Sequence, residues 1–323
     1  MKAVRIHAYG GPDVLVYEEV DAPRPGPGQV LVSLRAIAVN PVDAAVRAHR
    51  FQTPKEPPRI IGSDGAGVVT ALGPDVTTVA PGDEVMFTGL GIGSEGSYAE
   101  YALIAEAQAV VKPASLSFEE AAAMSLVFPT AHYALVRRAQ TQPGETVLVQ
   151  GGAGGIGSAA VQIARALGAR VLATVSTEED ARAVEDLGAE HAIVRTAVDV
   201  GAEAKRLTDG RGADVIVEPA AADNMDTDMA ALAKGGRIVV VGLGNADRLT
   251  VPAGAGGLDA GLLFMSSSNA GRAGTALILS ELAAMAAAGS VRAVIGTVLP
   301  LAEARRAHEL LEQHHFGKIV LVP

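Results

Sequence analysis

The chain has 323 residues, 49% of them hydrophobic, with a formal net charge of -10 and no cysteine. Its length exceeds what one hydrophobic core usually serves, so two domains are expected. The missing cysteines exclude disulfides, thiolate zinc sites, iron–sulfur clusters and cysteine nucleophiles. The acidic balance, with no basic stripe, speaks against nucleic acid as a partner.

Met1–Ile6 alternates polar and apolar residues like a first strand and lacks the apolar core of a signal peptide. Short β-like runs follow at Val30–Ala36, Gly67–Leu72 and Glu84–Phe87. They are separated by Gly/Pro punctuation such as Pro23–Gly28, Gly73-Pro74 and Pro81-Gly82-Asp83. This spacing predicts a barrel-like β domain. At Ser117-Phe118-Glu119-Glu120 a capping-box pattern opens an alanine-rich helix.

From Thr146 strands and helices alternate. Strands are predicted at Thr146–Gln150, Arg170–Val175, Ala192–Val194, Ala213–Glu218 and Gly236–Val241. Helices are predicted at Ser158–Leu167, Glu178–Leu187, Val200–Thr208 and Asn224–Leu232. Such alternation means a parallel sheet with crossover helices. Leu262–Ser267 reads as its last strand. Helices at Thr275–Ala288 and Leu301–Gln313 and strands at Val294–Val298 and Lys318–Val322 complete the chain. No apolar run is long enough to span a membrane; Ser280 and Glu281 interrupt the closest, Leu277–Ala288. A cytoplasmic protein with no membrane partner is expected.

The strongest local signal lies between the first strand and first helix of the alternating region. In Gln150–Gly157, the residues Gly152, Gly154 and Gly157 form G-x-G-x-x-G, with Gly155 and Ile156 between them. After a buried strand and before a helix, this pattern predicts a dinucleotide site. Gly152 is expected to permit the tight turn, Gly154 to let a pyrophosphate approach the backbone, and Gly157 to let helix and strand pack. The second strand ends in Ser176-Thr177, where NAD binders usually place an acid to hold the ribose. A small hydroxyl there leaves room for a 2′-phosphate. Arg195, at the end of the third strand, is the candidate to meet it, the alternative being an ordinary solvated arginine. Glu178, Glu179 and Asp180 nearby argue the other way. NADPH is the expected cofactor.

Taken together, Gly10–Leu15, Ala36–Asp43 (AIAVNPVD), Ile61–Val68 (IGSDGAGV), Pro81–Val85, Gly96–Tyr101, Pro129–Leu135, Gln150–Gly157 and Gly317–Leu321 (GKIVL) occur in a recognisable order. The chain resembles the medium-chain dehydrogenase/reductase superfamily, and within it the zinc-free quinone oxidoreductase, zeta-crystallin-like branch. The resemblance implies an α/β fold in which a doubly wound Rossmann sheet (residues 121–267) is inserted into a GroES-like β-barrel catalytic domain (residues 1–120 and 268–323). It implies hydride transfer from NADPH to a quinone or α,β-unsaturated carbonyl, without a metal, and a homodimer often joined through the Leu262–Ser267 strand. Relatives include enoyl-thioester reductases and non-catalytic NADPH-binding proteins, and these readings stay open. The resemblance marks Asn40 as a residue touching cofactor or substrate, Thr130 as a nicotinamide neighbour and Asp43 as their companion. Loop bracing, helix packing and capping are the structural alternatives for these three. Gly242, Leu243, Gly244 and Lys318 complete the expected cofactor set. Many relatives carry a tyrosine soon after Asp43; here Ala44-Ala45-Val46-Arg47 follows, which leaves that proton donor without a counterpart.

Overall fold

The computed structural model describes every residue except Gln52 and Asn245. The chain divides into two compact units, one made of residues 1–126 and 270–323, the other of 127–269.

The first unit begins with β1 (Lys2–Ile6), which pairs antiparallel with β2 (Leu15–Glu19). The long β3 (Gln29–Ala38) stops two residues before Asn40, which opens helix α1 (Pro41–Arg47). Next come β4 (Arg59–Ile60), β5 (Asp64–Leu72), β6 (Glu84–Thr88), β7 (Tyr101–Ala105) and β8 (Val110–Val111). β3 pairs antiparallel with both β5 and β7, so it runs through the centre of the sheet. Its buried face alternates as Val30, Val32 and Leu34, as a strand packed on one core requires. Helix α2 (Phe118–Ser125) is capped as expected: Ser117 Oγ accepts from Glu120 N at 3.1 Å and Glu120 Oε2 accepts from Ser117 N at 2.8 Å. It lies against β3, β5 and β6. That contact corrects the expected boundary after residue 120: the alanines of α2 bury against the β unit, and the second unit starts at Val127.

The second unit opens with α3 (Val127–His132), which continues into a π-helical turn, Tyr133–Arg138. Its strands are β9 (Thr146–Val149), β10 (Arg170–Val175), β11 (His191–Val194), β12 (Ala213–Glu218), β13 (Leu232–Val240) and β14 (Gly261–Phe264). The crossover helices are α4 (Gly155–Ala166), α5 (Glu178–Asp186), α6 (Val200–Leu207) and α7 (Ala221–Ala231). The sheet order is β11-β10-β9-β12-β13-β14, with every pairing parallel. That is the doubly wound order, whose direction reverses beside β9, and ligands of such sheets bind at the carboxyl ends of the strands around this point. β13 starts earlier than the expected Gly236, because the Lys234-Gly235-Gly236 stretch is an irregularity within the strand, with Gly235 at φ +76°. β14 stops at Phe264, where its register with β13 ends, instead of continuing to Ser267.

The chain then returns to the first unit through α8 (Gly271–Ala287), β15 (Ile295–Pro300), α9 (Ala304–Leu311) and β16 (Lys318–Val322). β16 inserts between β15 and β3. The last residues of the chain are therefore core residues of the unit that the first residues begin: Ile319 and Leu321 share one cluster with Val4, Val32 and Ile61. Among the described residues no helix is long and apolar enough to cross a membrane.

Candidate active site

The glycine loop follows β9. Gly151 makes the turn, at φ +67°, so the left-handed position lies one residue before the Gly152 assigned to it from sequence. Gly152 is needed for a different reason. A Cβ there would stand 2.9 Å from Ala173 Cβ and 3.1 Å from Val184 Cγ1, on β10 and α5. At Gly157 a Cβ would fall 2.0 Å from Gly151 O, so the first turn of α4 rests directly on the loop backbone. Gly154 is the contrast: its Cβ would meet only Gly151 O, at 3.4 Å. Protein packing makes little demand there, and the space in front of it is open. Gly154 is also the N-cap of α4 and supplies no side-chain cap, so the first-turn N–H groups, those of Gly155, Ile156 and Gly157, have no helical acceptor. Open space, free N–H donors and a helix N-terminus together suit an anion. Thr174 ties the loop down: its Oγ accepts from Gly151 N at 3.0 Å and its carbonyl from Gly152 N at 2.8 Å.

At the tip of β10, the structure brings Ser176 and Arg195 together. Arg195 donates to Ser176 Oγ from Nε at 3.2 Å and from Nη2 at 3.0 Å, and its backbone N–H bonds Val175 O. The guanidinium is exposed. Thr177 is occupied otherwise: its hydroxyl caps α5, accepting from Asp180 N at 3.1 Å and donating to Asp180 Oδ2 at 2.8 Å. Asp180 is thereby turned inward and buried, which leaves Glu178 and Glu179 as the exposed acids of that run.

The turn after β13 lies at the same edge of the sheet. Leu243 forms a bridge with Ala220, and Gly242 O accepts from Ala221 N. Gly242 is needed because a Cβ would strike Pro219 O at 2.5 Å, and Gly244 because it holds the left-handed φ of +70°. Thr130 sits in α3, buried, its Oγ 3.4 Å from Ser267 Oγ. α3 packs on α4, the helix that follows the glycine loop.

Asn40, Asp43 and Lys318 belong to the first unit, and there the structure revises the sequence reading. All three are buried in one polar cluster. Asn40 Nδ2 donates to Ala38 O at 3.1 Å and to Asp64 Oδ1 at 3.2 Å, and Asn40 Oδ1 accepts from Lys318 Nζ at 2.5 Å. The amide expected to touch cofactor or substrate thus spends both N–H groups inside the protein. Lys318, expected among the cofactor ligands, directs its ammonium at Asn40 and at Val39 O, 2.6 Å away. Asp43 closes the start of α1 by accepting from Asn40 N at 2.9 Å, and it also accepts from Ser63 Oγ at 2.6 Å and Tyr98 Oη at 3.3 Å. Tyr98 meets His308 Nε2 at 3.0 Å, and His308 Nδ1 meets Arg47 Nη1 at 3.0 Å. Arginine only donates, so His308 Nδ1 accepts, its Nε2 carries the hydrogen, and Tyr98 is left to donate to Asp43. Burial and then Arg47 hold His308 down to about 3, so it stays neutral. Burial pushes Asp43 up to about 6 against the pull of Ser63 and Lys318. Asp64 is pushed to about 8, by burial and then by the Asp43 charge, with Lys318 opposing. Ser63, Asp64, Tyr98 and His308 went unassigned from sequence. Ser63 and Asp64 lie in the quoted IGSDGAGV motif, but nothing in a linear pattern shows that a carboxylate faces inward.

The comparisons agree with this architecture. Residues 26–114 match the family described as alcohol dehydrogenase GroES-like domain, and residues 155–268 the family described as zinc-binding dehydrogenase. The quinone oxidoreductase of Lama guanicoe is 36% identical over 332 residues, covering 100% of this chain and 97% of the relative. The chain belongs to the quinone oxidoreductase branch of the medium-chain dehydrogenase/reductase superfamily. This oxidoreductase superposes on the crystal structure of an NAD-dependent alcohol dehydrogenase with a TM-score of 0.93, at 36% identity and full coverage of both chains. The Escherichia coli quinone oxidoreductase complexed with NADPH gives 0.91 at 28% identity, again over both full chains.

The zinc implied by one family description can be tested on the side chains. Among the described residues no group of three or more His, Cys, Asp or Glu is placed to hold a metal ion. The two carboxylates that act on one another, Asp43 and Asp64, already share the Lys318 ammonium as their cation. Among the described residues, no set of side chains is arranged to fit zinc.

Proposed function

We propose that this oxidoreductase reduces a quinone or a conjugated carbonyl compound with NADPH and without a metal. The observation that carries the cofactor choice is the Arg195 guanidinium on Ser176 Oγ, at the place where an acid would hold the ribose of NAD. A guanidinium matches phosphate in charge and geometry, and the E. coli relative was crystallised with NADPH. The bound nicotinamide supplies the hydride. The chain's own contribution is placement. The N-terminus of α4 and the open space at Gly154 take the pyrophosphate, Arg195 and Ser176 the 2′-phosphate, and the Gly242–Gly244 turn and Thr130 the nicotinamide end. A site without an electrophilic metal suits acceptors that are already electrophilic, since hydride addition to them gives a delocalised anion. We read the molecule as a homodimer joined along β14, an edge strand whose Phe264 is 56% exposed.

NADH is the second reading, favoured by the relative described as NAD-dependent. The two separate in the NADPH/NADH ratio of kcat/KM. Arg195→Ala removes charge-assisted hydrogen bonds of about 1.5–3 kcal/mol, so NADPH turnover should fall about tenfold or more while NADH barely changes. An unchanged ratio would make Arg195 a surface charge, and a wild type that prefers NADH would overturn the cofactor assignment.

A further inference from the structure

Beneath the glycine loop lie two buried carboxyl groups that the reaction does not use. Glu218 ends β12 and Asp228 lies on α7; both are fully buried. We propose that this pair holds a single proton, and that its loss loosens the dinucleotide site above it.

The hydrogen bonds require the proton. Both Glu218 oxygens accept: Oε1 from Ala220 N and Oε2 from Asn224 Nδ2, the latter at 3.1 Å. Asp228 Oδ1 accepts from Gln150 Nε2 at 2.7 Å, but Asp228 Oδ2 is buried and receives no donor from the protein. Each of the two buried carboxyls acts electrostatically on the other. A bare oxygen against a second carboxylate is costly in a dry interior; a proton on Oδ2, donated to Glu218, resolves it. Burial and then the Glu218 charge push Asp228 up to about 8, and Glu218 is raised as well, by burial first. Asp223 on α7 is a further charged group acting on Glu218, and it adds to the rise. β9 and β13 flank β12 here with Val149 and Val240. β10 presents the neutral Thr174.

The pair is wired to both segments assigned to the dinucleotide, and the functional half of the inference rests on that assignment. On one side Asp228 holds Gln150, whose Oε1 accepts from Thr174 Oγ at 2.6 Å, and Thr174 holds Gly151 N. On the other side Glu218 holds Ala220, the bridge partner of Leu243, and the Glu218 carbonyl accepts from Val241 N at 2.8 Å. With the proton present the two loops are braced by one neutral-plus-anion pair. As pH rises past the pair's raised value, a second charge appears under the loop. It repels Glu218, pulls at both braces, and opposes a pyrophosphate above it.

The test is NADPH affinity, measured by titration of the cofactor's own nicotinamide fluorescence between about pH 7 and about pH 9.5, in wild type and in Asp228→Asn. Asparagine mimics the protonated acid: its oxygen accepts from Gln150 and its N–H donates to Glu218, with nothing left to titrate. Wild-type Kd should rise by about tenfold across this range, the effect of about one unit of proton linkage, while Asp228→Asn keeps its neutral-pH affinity throughout. Glu218→Gln is the second variant and should also flatten the profile. Carboxyl ¹³C shifts of wild type should show two Asp side chains titrating near pH 8, Asp64 and Asp228, and Asp228→Asn should remove one of them. Equal slopes in wild type and both variants, or a wild type with a flat profile, would overturn the inference. A uniform loss of affinity in the variants would reduce the pair to a structural brace. Absence of NADPH binding by wild type at neutral pH is a different failure, because it removes the dinucleotide reading itself.

Discussion

Two regions of the molecule treat their polar residues in opposite ways. In the first, Asn40, Asp43, Asp64 and Lys318 are sealed from water and bonded to one another. In the second, the glycine loop and the Ser176–Arg195 tip keep donors facing outward, with the packing concentrated behind them at Gly152 and Gly157. A sealed cluster answers for stability, and an open loop answers for binding. Substitutions in the two regions should therefore separate along those lines.

The largest effect is expected at Lys318. Lys318→Met removes the only cation bonded to Asn40 Oδ1 among the described contacts and leaves Asp43 and Asp64 facing each other. Breaking a buried pair from one side costs about 3–5 kcal/mol, so urea unfolding should show a loss of that order. Adding Asp64→Asn should recover part of it. A Lys318→Met variant of wild-type stability but weakened NADPH binding would place Lys318 at the cofactor after all. A smaller and opposite result is expected at Gly154. Gly154→Val sets a branched side chain in the open space before α4. Overpacking of about 1–3 kcal/mol should weaken NADPH binding roughly ten- to hundredfold and leave the unfolding curve in place. An unchanged titration in that folded variant would show that the loop does not hold the dinucleotide. The smallest expected effect is none: exhaustive chelation should leave turnover as it was, and activity restored by stoichiometric zinc would contradict the side-chain inventory.

The same contrast explains what could be read in advance. The parallel sheet was legible because its strands are continuous apolar runs between turn residues; Arg170–Val175 and Ala213–Glu218 fall at their expected bounds, as does Lys318–Val322 in the other unit's sheet. Short elements such as β2 and α1 escaped, because five to seven residues carry too few periods to stand out. Ser176 and Arg195 were legible because position along consecutive parallel strands fixes which tips are neighbours. The Asn40 cluster was not. Its members come from the start of α1, β5 and β16, and only the folded sheet shows that Lys318 reaches Asn40. The glycine pattern located the loop yet misassigned its turn by one residue, since G-x-G-x-x-G records where side chains are forbidden and not which φ is positive.

The insertion of β16 between β15 and β3 also sets an order of events during synthesis. Residues 127–269 form a contiguous unit and can close as soon as they clear the ribosome. The first unit cannot, because Lys318 emerges long after Asp43 and Asp64. At roughly 5–20 residues per second that delay is on the order of tens of seconds. Until then the two carboxylates have no ammonium to meet and stay hydrated, and β3 lacks a neighbour along its Ile37–Ala38 edge. The part of the chain made first is thus the part finished last, and the nascent protein spends that interval with an exposed strand edge for a chaperone to cover.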